Sequence, residues 1–323
     1  MLKDVSFIDQ QCLGPWCCLS LRVSTTNGNT MGSEKDSPMS SQVKLELAGD
    51  SLCELKNISK IFRRGGLFSR ERIAAVSDVS LALPSAPSIL ALVGESGSGK
   101  TTVARMILRL VEPSSGVMTL GKHNLHGGKD ARLSDTTFRR LVQPIFQNPF
   151  ESFSIHMPVD FYLYQTAINL GMATDEESAR PAVNEALRSV GLELGRVGGK
   201  YVQQFSGGEL QRIAIARALI PKPRLIVADE PVSMVDASLR MTIVNLFHEI
   251  RKSFGISFLY ITHDLSTAFY IADQIAIMSQ GRVVEAGVPE FLIDAPTQSY
   301  TKKLIEAMPQ IGTPWPELLA FEQ

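Results

Sequence analysis

A glycine-rich run that ends in a lysine and two threonines lies at residues 94–102 and has the composition of a phosphate-binding loop. In order, its residues are Gly94, Glu95, Ser96, Gly97, Ser98, Gly99, Lys100, Thr101 and Thr102. Glycines let backbone N–H groups curl around phosphate oxygens, and a lysine at this spacing reaches the β- and γ-phosphates. The hydroxyl of Thr101 is suited to ligating Mg²⁺. The run therefore predicts a site for a nucleoside triphosphate.

The sequence on either side of this run supports the same interpretation. An apolar run at residues 89–93 precedes it, and residues 103–108 have the periodicity of a helix. Strand, glycine-rich turn and helix in this order place a phosphate at the positive end of the helix dipole. The alternative is a tight turn with a surface lysine, and the ordered strand and helix argue against it.

Two adjacent carboxylates, Asp229 and Glu230, end the apolar run at residues 225–228. Ligands of open α/β sheets bind at the carboxyl ends of strands, where an unpaired buried carboxylate is otherwise costly. We expect Asp229 to lie in the Mg²⁺ shell and Glu230 to orient or deprotonate the attacking water. A solvated strand end is the alternative. His263 ends the next predicted strand and is suited to bonding a γ-phosphate, although a single histidine of this kind is more often structural.

A second helix start has the features of an anion site. Ser206 is a predicted N-cap, and Gly207 and Gly208 leave the backbone bare at the start of a helix that ends at Leu219. One phosphate is not easily gripped by two helix starts of the same chain. A second copy of the chain can instead present this helix start across an interface.

Alternating strands and helices must position these residues, and they predict a parallel sheet covered on both faces. Residues 53–62 and 73–83 predict an antiparallel hairpin around a basic loop at 63–72. Phe62, in the first of these strands, either stacks on a base or packs in the core. The other predicted strands are 88–93, 117–120, 144–147, 225–230, 256–261, 274–279 and 282–286.

Helices predicted at 161–170 and 176–190, followed by a loop at 191–204, form a separate insertion after Gln147. The second of these helices begins at a cap around Asp175. The other predicted helices are 99–110, 136–142, 207–219, 238–254, 265–272 and 299–308.

Composition argues against several classes of protein. The chain has 323 residues, of which 44% are hydrophobic and 20% charged, and its formal net charge is −1. These values fit one or two globular domains and argue against a nucleic-acid scaffold. Apolar runs are shorter than the ~18 residues that cross a bilayer, so membrane-spanning parts are expected on other chains. The cysteines, Cys12, Cys17, Cys18 and Cys53, form no recurring C-x-x-C pair, which argues against zinc and fits a reducing compartment.

Residues 1–48 lack a sustained period, and after Arg22 they are rich in serine, threonine, asparagine and glycine. We expect a disordered extension to which no function is assigned. A signal peptide is one alternative, and a true start at Met31 or Met39 is another.

Six motifs in this order and spacing resemble those of the ATP-binding cassette (ABC) ATPases over about residues 50–288. Residues 94–102 resemble Walker A, Gln147 a Q-loop, 205–209 the ABC signature, 225–230 Walker B, 233–236 a D-loop containing Asp236, and His263 the switch histidine. The resemblance implies an α/β fold: a P-loop NTPase (RecA-like) core with a mostly parallel sheet, an antiparallel β-subdomain and an inserted α-helical subdomain. It implies ATP and Mg²⁺ as cofactors, with Thr101, Gln147 and Asp229 as metal ligands and Glu230, His263 and Gln147 as catalytic residues.

The family also implies a head-to-tail dimer with two sandwiched ATP molecules. Each nucleotide lies between residues 94–102 of one chain and residues 206–208 of the other, and Phe62 and Asp236 complete the expected contacts. The implied organisation is an extension at 1–48, an ATPase domain at 49–288 with its helical subdomain at about 148–222, and a C-terminal extension at 289–323.

Within the family, residues 147–152, 206–218, 229–233 and 298–301 resemble the ATPases of oligopeptide and dipeptide importers, and the chain resembles their F-type subunit. This resemblance implies two polytopic membrane permeases, a second ABC ATPase or a second copy of this chain, and an extracytoplasmic solute-binding protein. It places the chain peripherally on the cytoplasmic face of the inner membrane, with no nucleic-acid partner. Oligosaccharide or nickel importers, and a soluble component of phosphonate-cleaving machinery, are the alternatives.

Two departures from the family pattern concern the signature and the permease groove. The signature ends in Glu209 where glutamine is usual, but Ser206 and Gly208 are kept, so we expect activity. Residues 153–156 replace the usual Leu-Asn-Pro-Arg-like run in the segment expected to receive a coupling helix of the permease.

Overall fold

The computed structural model describes residues 51–64, 71–127 and 133–308. The predicted disordered extension at 1–48, the centre of the basic loop and the end of the predicted C-terminal extension lie outside these residues. Among the helices in the described ranges, none is both long enough and apolar enough to cross a bilayer.

The described residues form two sheets and a set of helices. The strands are β1 (Ser51–Arg64), β2 (Glu71–Pro84), β3 (Ile89–Val93), β4 (Ser115–Leu120), β5 (His123–Asn124), β6 (Val142–Ile145), β7 (Leu225–Asp229), β8 (Ser257–Thr262), β9 (Gln274–Ser279) and β10 (Arg282–Gly287). The helices are α1 (Lys100–Ile107), α2 (Asp135–Leu141), α3 (Val159–Asn169), α4 (Glu176–Ser189), α5 (Leu194–Val197), α6 (Gly207–Leu219), α7 (Ala237–Phe254), α8 (Leu265–Ile271), α9 (Pro289–Asp294) and α10 (Ser299–Glu306).

A six-stranded sheet forms the centre of the molecule, in the order β10-β9-β3-β8-β7-β6. The strands from β9 to β6 run parallel, and β10 joins the edge antiparallel to β9. Side chains of β3 alternate between two cores, with Ile89 and Val93 in one and Leu90 and Leu92 in the other. Parallel strands need crossover helices, and these cover both faces of the sheet. The predicted mostly parallel sheet is confirmed.

A second, antiparallel sheet has the order β2-β1-β4-β5. Its long hairpin, β1 with β2, confirms the predicted pairing. Phe62 lies near the outer end of β1, where its side chain is 40% exposed and the Lys60 ammonium is 5.1 Å from the ring centroid. The core-packing alternative for Phe62 was therefore wrong, because this end of the hairpin extends beyond the residues that bury its inner part.

The helices after β6 form a packed unit of α3, α4, α5 and α6 around buried Leu163, Leu187 and Leu210. Asp175 caps α4: its carboxylate accepts a hydrogen bond from the Ser178 N–H at 2.8 Å, and Ser178 Oγ accepts one from the Asp175 N–H at 3.2 Å. This reciprocal capping satisfies two N–H groups that the helix leaves free. The predicted start of α4 is confirmed.

Some predicted boundaries were wrong. Strand β6 covers Val142–Ile145 instead of 144–147, and it includes Pro144 because β6 is an edge strand whose outer side needs no N–H donor. The predicted loop at 191–204 contains the single turn of α5. Helix α9, which begins at Pro289, was not predicted.

Candidate functional site

The carboxyl ends of four neighbouring parallel strands meet at one edge of the central sheet. The glycine-rich loop follows β3, Asp229 and Glu230 lie at the end of β7, His263 follows β8, and Gln147 lies beyond β6. Parallel strands bring these positions together although they are far apart in the chain. The sheet edge is therefore the candidate site.

The loop between β3 and α1 depends on its glycines. Gly97 and Gly99 have φ values of 82° and 104°, in the left-handed region that favours glycine. A Cβ on Gly99 would also overlap the carbonyl oxygen of Ala75. The loop therefore requires glycine at these two positions, where a larger residue would be strained and, at residue 99, would also clash.

Lys100 is buried at the start of α1. Its ammonium donates hydrogen bonds to the carbonyl oxygens of Gly94 at 2.7 Å and Glu95 at 2.8 Å. Burial lowers the pKa of Lys100, whereas the negative charges of Glu230, Asp229 and Glu95 act to raise it. The loop thus holds a buried cation on neutral carbonyl groups, an arrangement suited to an arriving anion.

Thr101 and Asp229 connect the loop to the end of β7. The Thr101 hydroxyl donates a hydrogen bond to Asp229 Oδ1 at 3.3 Å. Burial raises the pKa of Asp229, and the Thr101 hydrogen bond acts to lower it. Together they present oxygen donors, which Mg²⁺ prefers. Within the described residues, no group of three or more histidine, cysteine, aspartate or glutamate side chains is placed to hold a metal ion.

Glu230 joins three strand ends. Its backbone has a φ of 48°, and its N–H donates to the Ile261 carbonyl at 2.9 Å, which turns the side chain away from the strand. The carboxylate Oε2 accepts a hydrogen bond from Gln147 Nε2 at 3.1 Å and lies 3.3 Å from His263 Nδ1. The three residues that sequence analysis placed at separate strand ends are thus in contact.

The second predicted anion site is the start of α6. Ser206 is its N-cap and accepts a hydrogen bond from the Glu209 N–H at 3.3 Å, while the Ser206 N–H donates to Glu209 Oε2 at 3.0 Å. Gly208 is buried, and a Cβ there would lie 2.8 Å from Leu239 of α7. Ser206 itself is exposed. Local hydrogen bonds therefore fix the start of α6, and Ser206 lies exposed at its tip.

The remaining predicted contacts, Asp236 and Phe62, are solvent-accessible. Asp236 is exposed at the N-cap of α7, and its side chain makes no capping hydrogen bond. Neither residue contributes to the cluster around Glu230, so their predicted contacts with nucleotide remain predictions.

A contact with the C-terminal helix was missed by sequence analysis. The Glu95 N–H of the loop donates a hydrogen bond to the Tyr300 hydroxyl of α10 at 3.3 Å. The helix is fixed by Glu285 of β10, which accepts hydrogen bonds from the Thr297 N–H at 2.8 Å and the Gln298 N–H at 3.2 Å. Burial acts to raise the pKa of Glu285, but its hydrogen bonds lower it to about 2. No local pattern signals a contact between residues this far apart.

Known proteins are similar to this chain in sequence and in fold. A profile described as ABC transporter matches residues 76–233. The oligopeptide transport ATP-binding protein OppF of Bacillus subtilis is 37% identical over 260 residues, which cover 80% of this chain and 83% of OppF. The putrescine export system ATP-binding protein SapF of Escherichia coli K12 is 36% identical over 258 residues, covering 79% and 93%.

A solved structure of an ATP-binding cassette has a similar fold. A dimeric post-hydrolysis state of the ATP-binding cassette MJ0796, bound to ADP and Pi, aligns with a TM-score of 0.63 and 26% identity over 73% of this chain and 98% of that chain. The expected fold class and the resemblance to transporter ATPases are confirmed.

Proposed function

The chain belongs to the ABC transporter family as an ATP-binding, ATP-hydrolysing subunit, and we propose that it energises the uptake of peptides through partner permeases. The contact of Gln147 and His263 with Glu230, beside Thr101 and Asp229, carries the proposal for the site. The named function of the Bacillus relative, oligopeptide transport, supports the substrate class.

ATP is assigned to the loop at residues 94–102. Backbone N–H groups at the start of α1 and the buried Lys100 ammonium bind the β- and γ-phosphates, in place of the carbonyl groups that Lys100 now contacts. Phe62 stacks on the base, for which its exposed ring is available. Thr101, Asp229 and Gln147 would hold Mg²⁺, which would neutralise part of the phosphate charge.

Hydrolysis is assigned to Glu230. Its carboxylate takes a proton from water while the water oxygen bonds to the γ-phosphorus and the bond to the β–γ bridging oxygen breaks. Gln147 holds the Glu230 carboxylate in place through its hydrogen bond. His263, which lies 3.3 Å from Glu230 Oε2, is assigned the hydrogen bond to the γ-phosphate. The products are ADP and inorganic phosphate.

The start of α6 is assigned to an interface with a partner chain. Ser206, Gly207 and Gly208 form the start of α6, where Ser206 is exposed, and bind the triphosphate held by a second ABC ATPase or a second copy of this chain. Asp236 lies at the same interface. The dimeric state of the MJ0796 cassette supports this arrangement. Two permeases and an extracytoplasmic solute-binding protein complete the importer, which puts this chain on the cytoplasmic face of the membrane.

Glu230→Gln tests the catalytic assignment. The variant should bind ATP, accumulate as a closed dimer and lose hydrolysis by about 10²-fold or more, as expected when a general base is removed. Glu249→Gln, an exposed change on α7, is the matched control and should hydrolyse ATP normally. Near-normal turnover of Glu230→Gln would remove Glu230 from this role.

The transported substrate needs its own experiment, because SapF, at a similar identity, is named for putrescine export. A polyamine exporter is therefore the second candidate. Purification of the chain with its membrane partners, followed by ATPase assays in proteoliposomes, separates the two. Stimulation by peptide and a solute-binding protein supports import, whereas stimulation by putrescine without a binding protein contradicts it.

A further inference from the structure

We propose that Arg196 is a positioning residue of the shared ATP site, which offsets the charge of Glu209 so that the start of α6 can receive a partner's triphosphate. This inference deepens the proposed function and rests on it. It concerns the position where the signature departs from its usual glutamine.

Glu209 places a carboxylate at the positive end of α6. Its Oε2 accepts hydrogen bonds from both the Ser206 N–H and the Ser206 hydroxyl, each at 3.0 Å. The Ser206 N–H, followed by the Arg196 hydrogen bond, lowers the pKa of Glu209 to about 2. The carboxylate is therefore ionised at neutral pH.

This carboxylate opposes the function assigned to the helix start. A negative side chain in the first turn is stabilised by the helix dipole, and a triphosphate is attracted by the same dipole. The two anions repel one another when both are present. A glutamine would keep the contacts to Ser206 without this repulsion, so a glutamate needs a compensating cation.

Arg196 supplies that cation. Its Nε and Nη2 both donate to Glu209 Oε1, at 2.9 Å and 2.5 Å, which leaves Oε2 to Ser206. The guanidinium side chain is 64% exposed, compared with 19% for Glu209, so its outer edge stays open to an anion. Arg196 also lies on α5, the turn that sequence analysis predicted as loop. The Glu209 carboxylate thus pairs with Arg196 through one oxygen and orients Ser206 through the other.

A double-mutant cycle tests the inference, with Arg196→Gln, Glu209→Gln and the double variant in the assembled ATPase. Arg196→Gln should raise the KM for ATP about three- to fivefold, the size expected of a partly exposed charge pair. Glu209→Gln should lower KM, and the double variant should return it close to the value of the unmodified protein. Arg196→Lys should recover part of the loss, because it keeps the charge without the two-pronged contact.

Controls separate this role from a structural one. Arg188→Gln, on the exposed face of α4, should leave KM unchanged. Binding of a fluorescent ATP analogue to the separated chain measures the site that the chain forms by itself, without the start of α6 of a partner. This binding should be unaffected in every variant of the cycle. An Arg196→Gln protein with unchanged KM overturns the inference, and so does a loss that Glu209→Gln does not rescue.

Failure of the proposed function has a different signature. If the unmodified protein forms no ATP-dependent pair with its partner, or with itself, the shared site is absent and both proposals are wrong. If pairing and turnover are normal while the cycle shows no coupling, only the role of Arg196 is rejected.

Discussion

Two helix starts in this chain are suited to binding phosphate, and they are built in opposite ways. At α1, glycines in left-handed conformations expose the backbone, and a buried lysine lies beside it. At α6, an exposed serine caps the helix and is bonded to a glutamate of the first turn. The start of α1 concentrates positive charge, whereas at the start of α6 the Glu209 carboxylate offsets part of the positive charge of the helix dipole.

This difference indicates which start binds first. The α1 loop holds its cation on carbonyl groups of its own and needs no other chain to attract a triphosphate. The α6 start has its serine hydroxyl and two N–H groups, those of Ser206 and Glu209, already hydrogen-bonded within the chain, so it gains less from a free anion. We expect α1 to supply most of the affinity for ATP and α6 to act on a nucleotide that another chain delivers.

The largest expected effect is at α1. Lys100→Ala should reduce ATP hydrolysis by about 10²-fold or more, since it removes a preorganised cation at the charge that develops on phosphate. Binding of ATP to the separated chain should fall with it. Lys252→Ala, an exposed lysine on α7, is the control. Normal ATP binding by Lys100→Ala would contradict the ranking of the two helix starts.

A smaller effect, on the other chain, is expected from Ser206→Arg. The arginine fills the gap where a γ-phosphate would meet the helix start, so turnover should fall about tenfold or more without loss of ATP binding to the same chain. Nucleotide crosslinking in mixed dimers measures each site separately. Lost protection of ATP on the chain that carries the substitution, with the partner's site normal, would refute the shared site.

Tyr300→Phe should modestly weaken ATP binding at the loop before α1 and should leave the start of α6 unaffected. It removes one hydrogen bond to the Glu95 N–H, which is expected to cost about 1 kcal/mol at most and to raise the KM for ATP a few-fold. Tyr270→Phe, which removes a surface hydrogen bond to Asn245, should leave KM unchanged. Equal effects of the two variants would show that α10 does not position the loop.

The smallest expected effect is on thermal stability and its dependence on pH, through Glu285, which holds the start of α10. The pKa of Glu285 is lowered to about 2 from its ordinary value of 4.5, so its stabilisation is fully present above pH 4.5 and is lost as the pH falls towards 2. Glu285→Gln should lower the melting temperature by about 2–4 °C at pH 7, and this difference should shrink on acidification. A difference that stays constant from pH 7 to pH 3 would remove the carboxylate from this role.

Sequence patterns predicted the parts of the site that lie close together in the chain. The residues of the α1 loop, the apolar strand β7 with its terminal carboxylates, and the full length of α6 follow from composition, periodicity and capping residues. These signals are local, because helix periodicity and turn chemistry depend on neighbours within a few residues. The order of the motifs then indicated an α/β sheet, whose strand ends lie along one edge.

Tertiary structure decided which of those strand ends touch. The contact of Gln147 with Glu230, the contact of Tyr300 with Glu95, and the pairing of Arg196 with Glu209 all join separate elements. Tertiary structure also decided that Phe62 is exposed and that Pro144 lies in an edge strand, because both depend on which elements pack beside these residues. Sequence spacing does not encode these distances, since they depend on strand order and on how whole helices pack against the sheet.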